Sequence, residues 1–321
     1  MTAASSPAGP ASSSTGDSRP RLTTLDVVLL LALALLWGSA YISIREGIVL
    51  GASPLIYASV RYLLSAGVFA ALAVTRRERW PDRRAIVISA SVGGVLVIGL
   101  YGGLLYWGEQ YTTGGFASVL SSTSPILTVV VAYALLPAER FTRLSLIGVL
   151  LGFAGTVVLV APSLRGGAVG SWGGALFIIG AFLSTSVGTV LLRRIGGGRQ
   201  GLWQLGAQFG VGGLLLAVAV VLLPVREALP LSPGVLAALG ALVVFSSVMG
   251  YFVYFTLHHR VGPVRANVVA YLLPLVGIGI GSGIFAEPVT FWEVLGFLIV
   301  IAGVTLIVRD SMLTSRAARS T

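Results

Sequence analysis

The chain has 321 residues, 56% of them hydrophobic and only 10% charged, with a mean hydropathy of +0.95 and a formal net charge of +10. A soluble surface needs roughly a quarter of its residues charged, so a water-exposed globular domain is excluded. There is no cysteine, which excludes disulfide frameworks, thiolate metal centres and thiol catalysis.

Residues 1–24 are rich in Ser, Ala, Thr and Pro and are expected to form a disordered cytoplasmic tail. Next come uncharged apolar runs long enough to span a bilayer, such as Val27–Ile44 with 18 residues and Ala85–Gly108 with 24. The first run is expected to be a retained membrane helix and not a cleaved signal. In chain order the pattern predicts ten spans: 25–44, 54–75, 85–108, 114–136, 144–161, 170–192, 201–224, 234–257, 264–286 and 291–308. Residues 310–321 form a second cytoplasmic tail. All 21 basic residues are arginine, and with the heavy Ala, Gly and Val usage this suggests a GC-rich bacterial gene. The expected location is therefore the plasma membrane of a bacterium.

Short connections make neighbouring spans antiparallel, and an even count puts both ends on one side. Seventeen of the 21 arginines then fall on the side of the termini, so both termini are expected in the cytoplasm. This placement explains the pI of about 10.6 without nucleic acid as a partner.

Pro125 and Pro274 each sit in the middle of an apolar run, 149 residues apart. Aligned on them, the halves match further. Ala117 pairs with Ala266 and Glu139 with Glu287. Counted from the glutamates, Thr142/Thr290, Gly148/Gly296, Leu150/Leu298, Ala154/Ala302 and Gly155/Gly303 fall in one frame, Pro137 adding one residue to the first half. The expected fold is an all-α membrane protein of ten transmembrane helices in two five-helix repeats, 25–162 and 163–309. Five is odd, so the second repeat is inverted. Equivalent loops carry opposite charge accordingly: five arginines follow span 2 and one, Arg226, follows span 7. Inverted repeats with broken helices place substrate near the midplane. Pro125 and Pro274 are thus expected to act as hinges, with the hydroxyls of Ser121 and Ser122 beside the cavity.

The same stretches resemble the drug/metabolite transporter superfamily, in its EamA branch. The resemblance spans roughly residues 25–308. It rests on LLWGSAYISIREG, VRYLLSA, ASVLSSTSPILTVVVAYALLPAERFTRLSLIGVLLGFAGTVVLV and VGPVRANVVAYLLPLVGIGIGSGIFAEPVTFWEVLGFLIVIAGVTLIV. It implies a ten-helix bundle that exports amino acids, metabolites or toxic small molecules. The chain departs from the pattern at Pro137 and in the small-residue run GIGIGSG.

Position suggests the rest of a cavity wall: Trp37 and Tyr41 on one face of span 1, Tyr251 in span 8, and Asn267 and Tyr271 on one face of span 9. These residues also suit interfacial anchoring. Arg61 lies about 10 Å into span 2. It is expected either to bind an anionic group of the substrate or to pair with Glu46 or Glu109. Small residues four apart, such as Gly148/Gly152, read as helix-packing contacts. GGGRQG (196–201) joins two spans and lacks the strand–helix context of a dinucleotide site. His258 and His259 are expected at the membrane interface. No zinc-protease or serine-hydrolase motif is present, which counts against an intramembrane enzyme, and no Walker loop, so ATP is not expected to drive it directly; an intramembrane enzyme or a channel-like facilitator is the alternative to a carrier. No cofactor is expected. The expected partners are a small-molecule substrate and the bilayer, with a proton or other coupling ion left open.

Overall fold

The computed structural model describes residues 23–112, 116–117, 120–136, 142–165, 172–196, 200–223, 228–276, 279 and 290–317. Among these residues the structure is entirely helical. The helices are α1 (Thr24–Val49), α2 (Pro54–Thr75), α3 (Arg83–Glu109), α4 (Ser121–Leu135), α5 (Arg143–Arg165), α6 (Trp172–Gly196), α7 (Leu202–Leu222), α8 (Pro233–Val261), α9 (263–276) and α10 (Phe291–Ala317). Six of them, α1, α2, α3, α6, α7 and α8, are long and apolar enough to cross a membrane. The apolar stretches of the other four are shorter. Large apolar side chains such as Leu35, Leu176, Leu214, Val218 and Phe252 point outward, as lipid contact requires.

Local chemistry starts the helices where the sequence allows. The Thr23 hydroxyl and the Asp26 carboxylate form a capping box on α1. Pro54 and Pro233 open α2 and α8, where a missing N–H costs nothing. The Gln204 side chain takes up the Gly201 N–H ahead of α7.

Packing follows a pattern that survives exchange of the first five helices with the last five. α2 lies along α7 and α5 along α10, while α1 packs on α8 as α3 packs on α6. Equivalent helices run antiparallel. The Ser59 hydroxyl donates to the Gly213 carbonyl at 3.0 Å, and at the other end of the same seam the Trp203 indole donates to the Glu78 carbonyl at 3.1 Å. In the second seam a Cβ on Gly148 would meet the Gly303 carbonyl at 2.8 Å, and one on Gly155 the Gly296 carbonyl at 3.0 Å. The four glycines matched in sequence thus touch crosswise, backbone on backbone.

The irregularities also recur. α3 widens to a π-helix over Ser89–Leu100 and α8 over Leu242–Met249. Each stretch has a carbonyl capped from the opposite half. Ser184 of α6 donates to Leu96 O at 2.8 Å, and Trp37 of α1 donates to Ser246 O at 3.1 Å. The 3₁₀ turn Ser121–Thr123 leads into the α-helical part of α4 and is itself preceded by helical residues at 116, 117 and 120, and α9 contains the 3₁₀ turn Val268–Tyr271. These two turns meet, with Ser121 Oγ 3.5 Å from the Ala270 carbonyl, its counterpart at the same offset of 149 residues.

Several expectations change. Pro125 lies just after a 3₁₀ break in the helical path, with residues 116, 117 and 120 on the upstream side helical as well. It occupies the first turn of the α-helix Ser124–Leu135, directly after the 3₁₀ turn, where a proline fits without losing a bond. Pro274 likewise follows the 3₁₀ turn of α9. α5 and α10 run longer than the predicted 144–161 and 291–308. His258 is fully buried and only His259 is exposed, because α8 turns the first inward against Tyr254 and Phe255. Residues 1–22, Pro137, Glu139, Arg140, Arg226, Glu287 and all of GIGIGSG except Gly279 lie outside the described residues, as do 197–199 of GGGRQG.

Candidate functional site

A cavity of about 50 Å³ lies between the halves, lined from α1, α2, α3, α4, α6, α8 and α9. Its wall includes Trp37, Tyr41, Arg61, Tyr251 and Asn267, five residues singled out from sequence. That volume holds a few waters, at roughly 10–15 Å³ each. A metabolite requires the helices to part.

Among the described residues Arg61 is the one cationic side chain in the wall, and it is buried. Its Nε donates to Ser247 Oγ at 2.9 Å, Nη2 to Ser246 Oγ at 2.8 Å and Nη1 to the Tyr106 hydroxyl at 2.8 Å. The rings of Tyr62 and Tyr106 lie 5.2 and 6.0 Å from its guanidinium carbon. None of these bonding partners is a carboxylate, so neither the Glu46 nor the Glu109 pairing occurs among the described residues. The π-helical stretch of α8 brings the adjacent Ser246 and Ser247 to the same guanidinium. A guanidinium has five N–H donors, and three are used here. The site is therefore a fixed, desolvated cation facing a cavity with donors to spare.

Beside Arg61 the wall is aromatic. Trp37 packs on Tyr254 at 4.9 Å and on Tyr251 at 5.4 Å between ring centroids, and Tyr251 packs on Phe209 at 4.9 Å. Tyr41 is buried beside Ser121 and Tyr101. Asn267 accepts from the Tyr254 hydroxyl at 3.0 Å and donates to Thr128 Oγ1 at 2.7 Å, and Thr128 donates to Ser186 at 2.9 Å. This chain ties α8, α9, α4 and α6 together beneath the cavity.

Three predicted site residues fall elsewhere. Ser121 and Ser122 are buried at the crossing of the two 3₁₀ turns, outside the cavity lining, where Ser124 takes their place. Tyr271 does not share a face with Asn267. The 3₁₀ turn between them has three residues per turn, which breaks the i, i+4 relation. Its hydroxyl donates instead to Val149 O at 2.7 Å, anchoring α9 to α5. Sequence reasoning missed Tyr106, Ser246 and Ser247. The serine pair inside the apolar run LVVFSSVM was a visible signal, because such hydroxyls need partners in a membrane.

Comparisons with known proteins agree with this architecture. The model of the EamA-like transporter family matches the chain twice, over residues 24–161 and 172–309. The chain is 28% identical over 304 residues to the uncharacterized transporter YvbV of Bacillus subtilis, covering 92% of this chain and 95% of that one. It is 29% identical over 280 residues to the uncharacterized inner membrane transporter YedA of Escherichia coli, covering 87% and 89%. A solved crystal structure superposes with a TM-score of 0.69 at 21% identity, covering 92% of this chain and 99% of that one. With the family model matching 24–161 and 172–309 and the described residues forming an all-helical bundle, the chain belongs to the EamA-like transporter family.

Proposed function

We propose that the protein is a secondary transporter that carries a small metabolite with a carboxylate or other anionic group through the Arg61 cavity by alternating access. Amino acids and related compounds are the substrate class, and export is the direction. The observation that carries this is Arg61, buried in the cavity wall and held by three hydroxyls without a carboxylate. An isolated buried charge is costly. A bidentate anion offsets that cost and uses the planar fork, while the aromatic wall accepts the apolar remainder of the substrate. Among the described residues of the wall no nucleophile–base pair of the kind an intramembrane enzyme needs is formed.

The ten helices act as two inverted five-helix repeats, 25–162 and 163–309, in the bacterial plasma membrane. The antiparallel packing of α2 on α7 and α5 on α10 supports this arrangement. Pro125 and Pro274 fix the 3₁₀ breaks about which the halves rock. Arg76–Arg84, Arg143, Arg193, Arg194 and Arg260 face the cytoplasm with both termini, and Arg45 faces outward. A resistance and efflux screen of amino acids and carboxylic metabolites in overexpressing cells tests the function. It should yield an anionic or zwitterionic substrate whose export needs Arg61. A screen yielding only organic cations would overturn the reading. For topology, Leu50→Cys should react with an impermeant thiol reagent in intact cells and Trp80→Cys should not.

A further inference from the structure

Glu109 closes α3 and is fully buried, yet neither of its carboxyl oxygens has a hydrogen-bond partner. Arg45 of α1 stands beside it but directs Nη1 to the backbone carbonyl of Glu109, at 3.1 Å. The ionisable groups facing this carboxyl are Arg45 and Tyr41 from α1 and Arg61 and Tyr62 from α2. α6, which also packs there, has ionisable residues only at its opposite end, Arg193 and Arg194. An ionised carboxylate this close to guanidinium donors would take charge-assisted bonds. One buried without them is strongly unfavourable. The arrangement is that of a neutral carboxylic acid.

The offset of 149 residues carries Glu109 onto His258, at the other end of the bundle. His258 is also fully buried, with both ring nitrogens unbonded. Its backbone carbonyl receives Nη1 of Arg193 from α6, at 3.3 Å. The two ends of the cavity thus share one device: an arginine from the first helix of each half clasps the carbonyl of a buried ionisable residue whose side chain is left idle.

We infer that Glu109 is a proton-binding site that latches the Arg45 end of the cavity. The inference rests on the transporter reading. While Glu109 holds its proton, only the carbonyl clasp joins α1 to α3 there. When the proton leaves to water at that end, the carboxylate draws Arg45 into an ion pair and the end closes tightly. Acid on that side therefore loosens the latch and alkali tightens it, so the proton gates access at that end.

The chain has no cysteine, so Ala40→Cys, on the cavity wall, reports access cleanly. Its reaction with an impermeant thiol reagent is measured in right-side-out and inside-out vesicles and divided by that of Leu50→Cys, 43% exposed at the Arg45 end. The side on which Leu50→Cys reacts identifies that end, whatever the orientation. Lowering the pH on that side from alkaline to acidic should raise the ratio roughly tenfold. Glu109→Gln should fix the ratio at its acid value. Arg45→Gln, which keeps the acid and removes its partner, should do the same. As a substrate-free check, infrared spectra of the full chain in nanodiscs should show a protonated-carboxyl band that is lost in alkali and absent from Glu109→Gln. A ratio independent of pH, or a pH response that persists in Glu109→Gln and Arg45→Gln, would overturn the inference. Neither readout involves substrate, so a failed Arg61 experiment and a failed latch are separate results.

Discussion

Two pairs of equivalent helices meet in opposite ways. Where α5 meets α10, the contact is glycine against glycine, with Gly148, Gly152 and Gly303 bringing backbones within touching distance. Where α4 meets α9, the helices are broken by 3₁₀ turns and touch through Ser121 and Ala270. The first pair is regular α-helix on both sides, its glycines flanked by the buried apolar side chains Val149, Val300 and Ile307. The second exposes irregular backbone, which a membrane protein tolerates only beside protein or a polar cavity. Under the proposed mechanism the α5–α10 pair is scaffold, and the α4–α9 pair is where the halves shift around the cavity.

The sharpest way to break that contrast is to add atoms to each side of it. A Cβ on Gly303 would lie 2.6 Å from Gly152 N and 2.7 Å from Gly148 O, both backbone atoms that cannot swing aside. Gly303→Ala should cost at least the roughly 1–3 kcal/mol of ordinary overpacking and sharply lower the yield of monodisperse protein on size exclusion. Gly67→Ala, with nothing within 4 Å, should be silent. A tolerated Gly303→Ala would show that the seam is not rigid.

At the broken pair, the expected effect is on transport and not on folding. Pro125→Ala and Pro274→Ala restore an N–H and let each 3₁₀ turn relax toward continuous α-helix. Each should slow transport by roughly tenfold, equivalent to about 1.4 kcal/mol between conformations, with thermal stability close to wild type. Wild-type rates in both would reduce the prolines to helix starters.

The smallest effect is expected at the two matched carbonyl caps. Ser184→Ala and Trp37→Phe each remove one hydrogen bond to a π-helical carbonyl. Interhelical bonds of this kind are worth about 0.6 kcal/mol on average in membranes. Unfolding in detergent should show Ser184→Ala destabilised by about that amount. Trp37→Phe should lose a similar bond and also disturb the wall around Tyr251 and Tyr254.

What the sequence made legible follows from the length scale of each signal. The helices and the contacts of Gly148, Gly155, Gly296 and Gly303 depend on composition over tens of residues, and they read clearly. Trp37, Tyr41, Arg61, Tyr251 and Asn267 were found because a polar or aromatic group inside an apolar run stands out. The π-helical stretches left no such mark, since their residues are as apolar as any α-helix, and with them went the role of Ser246 and Ser247. Tyr271 was misplaced by assuming 3.6 residues per turn across a 3₁₀ turn. Glu109 read as a residue at a helix end, and only the packing of α1, α2 and α6 around it shows that the end is inside the protein.

The central claim is that Arg61 receives an anionic group. Counterflow into proteoliposomes with a panel of amino acids and carboxylates, each paired with its uncharged amide, tests it most directly. Wild-type protein should exchange at least one free carboxylate and reject its amide. Arg61→Lys, whose single ammonium cannot reproduce the fork, should lose about 1.5–3 kcal/mol of that preference, the worth of a hydrogen bond to a charged group. Arg61→Ala should lose the preference entirely while remaining monodisperse. A folded Arg61→Ala that still prefers the carboxylate as strongly as wild type would contradict the account.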